Sequence, residues 1–293
     1  MSRVAPVAVF AYERAGILAS TLHALEHCQG FEGRRVHVFC DQAASSENQA
    51  AVDETRRLAA AWCSRHGARL VERERNHHFA NITAGLTELT ESEGWVISLE
   101  DDHLPAPGFL AFLDRALPVY RNHERLFQIA AWAPGRMPEE LPETFFLPMP
   151  MPTGWATWRR AWRCFSWEAP GASELLSSPK QRCQFDFEGA YPASRLLARA
   201  CSGDFQSYFI RWYLAMFREH GLALVARTAL VYNAGLESGV HARKPDATRS
   251  AFFNANWNLP AVSVDKWTLP AEIAVQPEVF ARFQALLRAW RSG

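Results

Sequence analysis

Glu100-Asp101-Asp102 is the sharpest chemical feature of the chain. Adjacent carboxylates repel one another, and neither a helix nor a strand interior favours them. The triplet directly follows Trp95-Val96-Ile97-Ser98-Leu99, an apolar run of strand length. At the end of a buried strand it needs a compensating cation. A hard divalent ion, Mn2+ or Mg2+, supplies one while keeping coordination positions for phosphate oxygens. The alternative is a solvated acidic turn. The preceding strand favours a site, because parallel sheets gather ligands at the carboxyl ends of their strands.

Other candidates are weaker. Trp155, Trp158 and Trp162 recur at three- and four-residue spacing, which suits a core; aromatic faces also stack on sugar rings, and Gly154 just before them permits close approach. His77 and His78 read as polar loop residues. His241 follows a glycine in a polar loop and has better prospects as a ligand. A G-x-x-x-x-G-K-[ST] loop, a G-x-G-x-x-G turn after the first strand, a G-x-S-x-G elbow and an H-E-x-x-H pair are all absent from the sequence. What remains is a metal-and-phosphate site without a glycine-rich phosphate loop.

The elements that must position these residues alternate in period. Stretches of strand length at 4–12, 36–40, 68–72 and 95–99 are separated by stretches with helical spacing, including 17–28, a helix through Val52, Leu58 and Trp62 opened by a Ser46/Gln49 capping box, and one from about Asn81. Pro107 suits the first position of a helix carrying Phe109 to Leu117. This order predicts an α/β fold with a mostly parallel sheet covered on both faces. Tyr12-Glu13-Arg14, Asp41-Gln42 and Glu100-Asp101-Asp102-His103 would then leave the same edge. The second half predicts a short strand at 145–147, helices at 190–200 and 205–220, a strand over 222–232, a mobile loop over 235–258 and an amphipathic helix over 277–290.

Composition bounds the rest. With 293 residues, 48% of them apolar, the chain can bury a large core, and 31 basic against 31 acidic residues remove the simplest argument for a nucleic-acid partner. No apolar run approaches the roughly 20 residues of a membrane span. The N-terminus reads as a first strand, not a signal peptide. Six scattered cysteines without C-x-x-C suggest reduced thiols and a cytoplasmic setting.

Pro6-Val7-Ala8-Val9-Phe10-Ala11-Tyr12-Glu13-Arg14, Val38-Phe39-Cys40-Asp41, Glu72-Arg73 through Asn76 with Ala80-Asn81, Leu99-Glu100-Asp101-Asp102 with Pro107-Gly108-Phe109-Leu110, Gly154-Trp155-Ala156-Thr157-Trp158 and Ile210-Arg211-Trp212-Tyr213 occur in this order. Together they resemble the motifs of bacterial glycosyltransferases of the GT-A fold (family 2-like), in the group similar to N-acetylglucosaminyltransferase I. The resemblance spans about residues 5 to 242. It implies one GT-A domain over 1–293, with a nucleotide-sugar half at 1–125, an acceptor half at 126–260 and a helical tail at 261–293. It also implies Mn2+ or Mg2+ held by Asp102, with His241 as a late ligand. Glu100 and Asp101 would bind donor hydroxyls, Arg14, Asp41, Asn76 and Asn81 the nucleotide, and Trp155 and Trp158 would stack on sugar.

The implied activity is inverting transfer from a nucleotide-diphosphate sugar, UDP favoured, to a glycan or lipid-linked glycan hydroxyl. The transferred group would be hexosyl or N-acetylhexosaminyl. Surface polysaccharide or glycoconjugate synthesis is the expected setting, in the cytoplasm or peripherally at the inner face of its membrane. The usual base, an Asp, is Gln206 here. A neutral amide cannot take the proton, so Asp204 becomes the first candidate and Glu237 the second. Two rivals remain: a metal-dependent phosphoesterase using Asp101, Asp102, His103 and His77-His78, and a nucleotide-sugar-binding homologue without turnover.

Overall fold

The computed structural model describes residues 4–77, 79–238, 247–255, 257 and 267–292. Strands β1 (Val7–Ala11), β2 (Val36–Cys40), β3 (Arg69–Glu72) and β4 (Trp95–Glu100) alternate with helices α1 (Ala15–Glu26), α2 (Ser46–His66) and α3 (Phe79–Glu93). Next come β5 (His103–Pro105), α4 (Phe109–Val119), β6 (Leu126–Ala130), β7 (Thr144–Leu147) and β8 (Trp155–Trp158). Short helices α5 (Arg159–Trp162), α6 (Ala172–Ser177) and α7 (Pro179–Phe185) lead to α8 (Ala193–Ser202) and α9 (Tyr208–Arg218). Strands β9 (Leu222–Ala226) and β10 (Val231–Asn233) and helices α10 (Gly235–Ser238), α11 (Ala247–Phe253) and α12 (Pro277–Ser292) complete the order.

Eight strands form one sheet in the order β3-β2-β1-β4-β8-β6-β9-β7, and β10 pairs with β5 in a separate ribbon. Strands β1 to β4 are mutually parallel, and β8 runs antiparallel between β4 and β6. The fold is therefore mixed α/β with a large central sheet flanked by helices, and strands from both halves of the sequence build that sheet. Alternation along β1 shows how the faces divide. Val7, Val9 and Ala11 join Leu18, Leu22 and Leu25 of α1 and Phe109, Phe112 and Leu113 of α4. Ala8 and Phe10 join Leu86 of α3 and, further along that face, Trp155 and Trp212.

Several local expectations are corrected. The N-cap of α2 is Ser45, whose hydroxyl bonds the Asn48 side chain at 3.1 Å, so the Ser46/Gln49 box does not form. Helix α4 begins at Phe109 after Gly108, two residues beyond Pro107. The apolar stretch 222–232 divides, because β9 stays in the large sheet while β10 leaves it to pair with β5. Strand β6 is hard to read in the sequence because a polar residue stands at its centre. Gln128 is fully buried and satisfies both ends of its amide on the Met151 backbone, at 3.1 and 2.7 Å.

Candidate active site

The sheet's chain order reverses beside β1: the path steps outward through β2 and β3, then returns to place β4 on the other side. Such a switch point opens a crevice at the strands' carboxyl ends. Arg14 lies just past β1 and Glu100-Asp101-Asp102 closes β4, so register alone places cation and carboxylates side by side.

Consecutive residues leave a strand on opposite faces, and this divides the triplet. Glu100 points to the α9 side, where the Tyr208 hydroxyl donates a hydrogen bond to its carboxylate and itself accepts one from the Trp155 indole N–H. Asp101 turns to α1; its carboxylate pairs with the Arg14 guanidinium, and its carbonyl accepts the Thr21 hydroxyl at 2.6 Å. Asp102 Oδ2 lies 2.9 Å from the Arg14 guanidinium, while Oδ1 is buried without a hydrogen-bond partner. Ribbon β5/β10 folds over this corner, and Ala234 N–H donates to the Asp102 carbonyl at 2.9 Å. Gly235 then crosses so closely that a Cβ there would lie 1.8 Å from Asp102 Oδ2.

The electrostatics arise from this crowding. Burial, reinforced by Asp102 and Asp101, pushes the Glu100 carboxyl up to about 8. Burial likewise lifts Asp101 to about 6 against the opposing pull of Arg14. Burial opposes the charge on Arg14, but Asp102 and Asp101 outweigh it and raise its pKa above the ordinary value. His103 is driven by burial to about 4 and is neutral at pH 7. Its Nδ1 accepts the Glu100 N–H at 3.0 Å, so Nε2 carries the proton, facing Asp102 Oδ1 at 3.6 Å. In that state His103 has no lone pair free for a metal or for proton transfer. Fully ionised, three carboxylates against one guanidinium leave two negative charges. Donor atoms of Glu100, Asp102 and His103 lie within 4.8 Å of one another. The orphaned Asp102 oxygen and the hard carboxylate set fit a divalent cation held by Asp102 and Glu100.

The neighbouring loops are tied to the same edge. Asp41 N–H donates to the Ala11 carbonyl at 3.0 Å, and Ala44 N–H to the Tyr12 hydroxyl at 3.0 Å. The buried Asp41 carboxylate accepts backbone N–H groups of Gln42 at 3.0 Å and His77 at 2.9 Å. Asn76 donates to the Gln42 carbonyl at 2.7 Å. Asn81 is buried, its amide oxygen accepting from Arg73 at 2.8 Å and its nitrogen donating to the Phe39 carbonyl at 3.3 Å.

Trp155 and Trp158 do not form the expected stacking platform. Strand β8 is central in the sheet, and their relative exposures are 1% and 2%. Trp158 lies under the Arg160 guanidinium, 4.6 Å from ring centroid to carbon. Asp204 is exposed in the turn between α8 and α9, accepting the Ser202 hydroxyl at 2.7 Å. Arg211 braces that turn, donating to the carbonyls of Ser207, Ala200 and Trp167 at 2.9, 2.7 and 2.9 Å. His78 and His241 lie outside the described residues, as does the side chain of Glu237. Sequence reasoning missed Tyr208, Thr21 and Gly235. Tyr208 alone left a signal, a hydroxyl at the first position of a helix that starts just beyond the base position.

No protein-family model and no curated protein matches this chain. Among solved structures, TarS of S. aureus superposes with a TM-score of 0.45 at 13% identity, covering 79% of this chain and 37% of that one. GalNAc-T7 with UDP, GalNAc and Mn2+ gives 0.45 at 11% identity over 88% and 49%. The mannosyltransferase PcManGT from Pyrobaculum calidifontis, in complex with GDP-Man and Mn2+, gives 0.40 at 12% over 75% and 71%. The chain thus spans about a third of the length of TarS and about half that of GalNAc-T7.

Proposed function

We propose that the protein is a metal-dependent, inverting glycosyltransferase, moving a sugar from a nucleotide-diphosphate donor, UDP favoured, to a hydroxyl acceptor. One observation carries this reading: three crowded carboxyl groups, with an orphaned Asp102 oxygen, lie at the switch point of the sheet beside a single guanidinium. A divalent cation held there by Asp102 and Glu100 would supply Lewis-acid stabilisation of charge on a departing diphosphate. Arg14 gives that charge a second, fixed partner. Its position does not depend on the ligand, because Asp101 already holds it. Asp101 and Glu100 can each accept a donor hydroxyl. Asp41 would accept an imide N–H, with Asn76 on the same rim and Asn81 bonded to Arg73.

Inversion requires a base on the face opposite the leaving group. Asp204 is the candidate, on a braced turn four residues before Tyr208, a chain span of at most about 14 Å. Glu237 is the second candidate and His241 a further metal ligand. A hexosyl or N-acetylhexosaminyl donor and a glycan or lipid-linked glycan acceptor, as in surface polysaccharide synthesis at the inner face of a membrane, rest on the sequence resemblance. Among the described residues no helix is long and apolar enough to cross a membrane.

Calorimetry of UDP binding with and without MnCl2 tests the reading. Asp102→Ala abolishes the manganese-dependent part of the affinity. Asp204→Asn keeps donor binding and lowers transfer by about 10²-fold or more. Unchanged manganese-dependent affinity in Asp102→Ala would refute the assignment.

A further inference from the structure

The far end of α1 carries a second group of ligand-type side chains. His23 lies nine residues beyond Arg14, about 13 Å along the helix axis. His23 and His27 are four residues apart on one helical face, with ring centroids 4.4 Å apart, and Glu26 lies beside them. Donor atoms of His23, Glu26 and His27 fall within 4.8 Å of one another.

The groups behind these three side chains are what distinguish them from a solvated polar face. His27 Nδ1 donates to the His23 carbonyl at 2.7 Å, which fixes the tautomer and leaves the Nε2 lone pair free. Glu26 Oε1 accepts the Trp62 indole N–H and lies 3.0 Å from His66 Nε2, both groups being on α2. Its other oxygen is left toward His23, 4.0 Å from Nδ1. His27 and Glu26 thus each have an outer partner, in the pattern that holds ligands in metal sites. The C-terminal end of the α1 dipole adds a negative potential.

We propose that His23, Glu26 and His27 form a binding site for a late first-row divalent metal, with Zn2+ the expected ion and water in the fourth position. Two imidazoles and one carboxylate suit Zn2+ and disfavour Mg2+ or Ca2+. Ligand bonds of about 2.0–2.2 Å require the donors to close in from their present spacing. The His23 side chain is 73% exposed, so its ring is free to turn. Because Glu26 is held by the Trp62 indole N–H, the ion fastens the last turn of α1 to α2. The site is separate from the carboxylate corner and does not rest on the transferase reading.

The test is ZnCl2 titration of the full chain by calorimetry and by thermal melting. Wild-type protein binds Zn2+ at this site and its melting temperature rises with zinc concentration. His23→Ala, an exposed change that leaves the fold in place, and His23→Ala/His27→Ala weaken binding at least about tenfold and remove the melting shift. Asp102→Asn, which disables the carboxylate corner, retains both. Unchanged zinc affinity in the double variant overturns the proposal. So does loss of zinc binding in Asp102→Asn with both histidines intact, or no melting shift of the wild type at about 100 µM Zn2+.

Discussion

Gly235→Ala isolates the geometry of the acidic corner with one methyl group. A Cβ at this position would lie 1.8 Å from Asp102 Oδ2, 2.7 Å from its Cγ and 3.2 Å from Arg14 Nη1. Real Cβ atoms keep at least 3.0 Å, so Oδ2 must retreat by at least about 1.2 Å. The carboxylate cannot retreat along the Arg14 contact, already 2.9 Å, without breaking it or turning the orphaned Oδ1 away. Overpacking of this kind costs about 1–3 kcal/mol, a fall of roughly 2–5 °C in Tm for a chain this size. Displacing a metal ligand from its support costs about 10–100-fold in metal affinity, so manganese-dependent UDP affinity should fall by that order. Gly16→Ala is the control. Its Cβ meets nothing within 4 Å on α1, and the change should stabilise by about 0.5–1 kcal/mol. Thermal melts and calorimetry read both variants. Wild-type melting of Gly235→Ala would refute the steric argument; wild-type UDP affinity in a destabilised variant would remove Asp102 from the metal.

Three further outcomes are expected. Glu100 titrates near 8 in the folded chain against 4.5 ordinarily, so its contribution to stability is full below about 4.5 and lost as pH rises through 8. Metal-free Glu100→Gln is therefore more stable than wild type by about 1–3 kcal/mol at pH 9, with the gain vanishing near pH 5; parallel melting curves in EDTA across that range would contradict this. Tyr208→Phe strands the buried Trp155 N–H and releases Glu100, costing about 1–3 kcal/mol in denaturant titration and weakening donor binding. Iodoacetamide at pH 8 should label exposed Cys183 and Cys201 in the native protein, while Cys28 and Cys40, pushed up by burial to about 12, react only after unfolding; peptide mass mapping decides.

The order of strands and helices in the first half was legible because β1, β2 and β4 are largely buried on both faces and read as predominantly apolar runs. The edge of the sheet that bears the acidic triplet was legible for the same reason: a strand that stops at Glu100 must present Asp101 and Asp102 at its carboxyl end. The second half was harder to read because its strands are short and are completed by partners distant in sequence. Strand β8 lies between β4 and β6, and β10 pairs with β5 across more than a hundred residues. Tryptophans 155 and 158 looked available for a sugar only while that central position was unknown.

From residue types alone, the chain determines that carboxylates end a buried strand, that Arg14 ends another, and that no glycine-rich phosphate loop is present, since these are properties of local order along the polymer. Tertiary structure alone decided that Arg14 bonds Asp101 rather than solvent, that His103 turns both nitrogens inward, that Tyr208 holds Glu100, and that Gly235 closes over Asp102. Charge balance, tautomer and clearance depend on which groups approach within a few ångströms, and in this fold those neighbours come from β1, α9 and the β5/β10 ribbon rather than from adjacent residues.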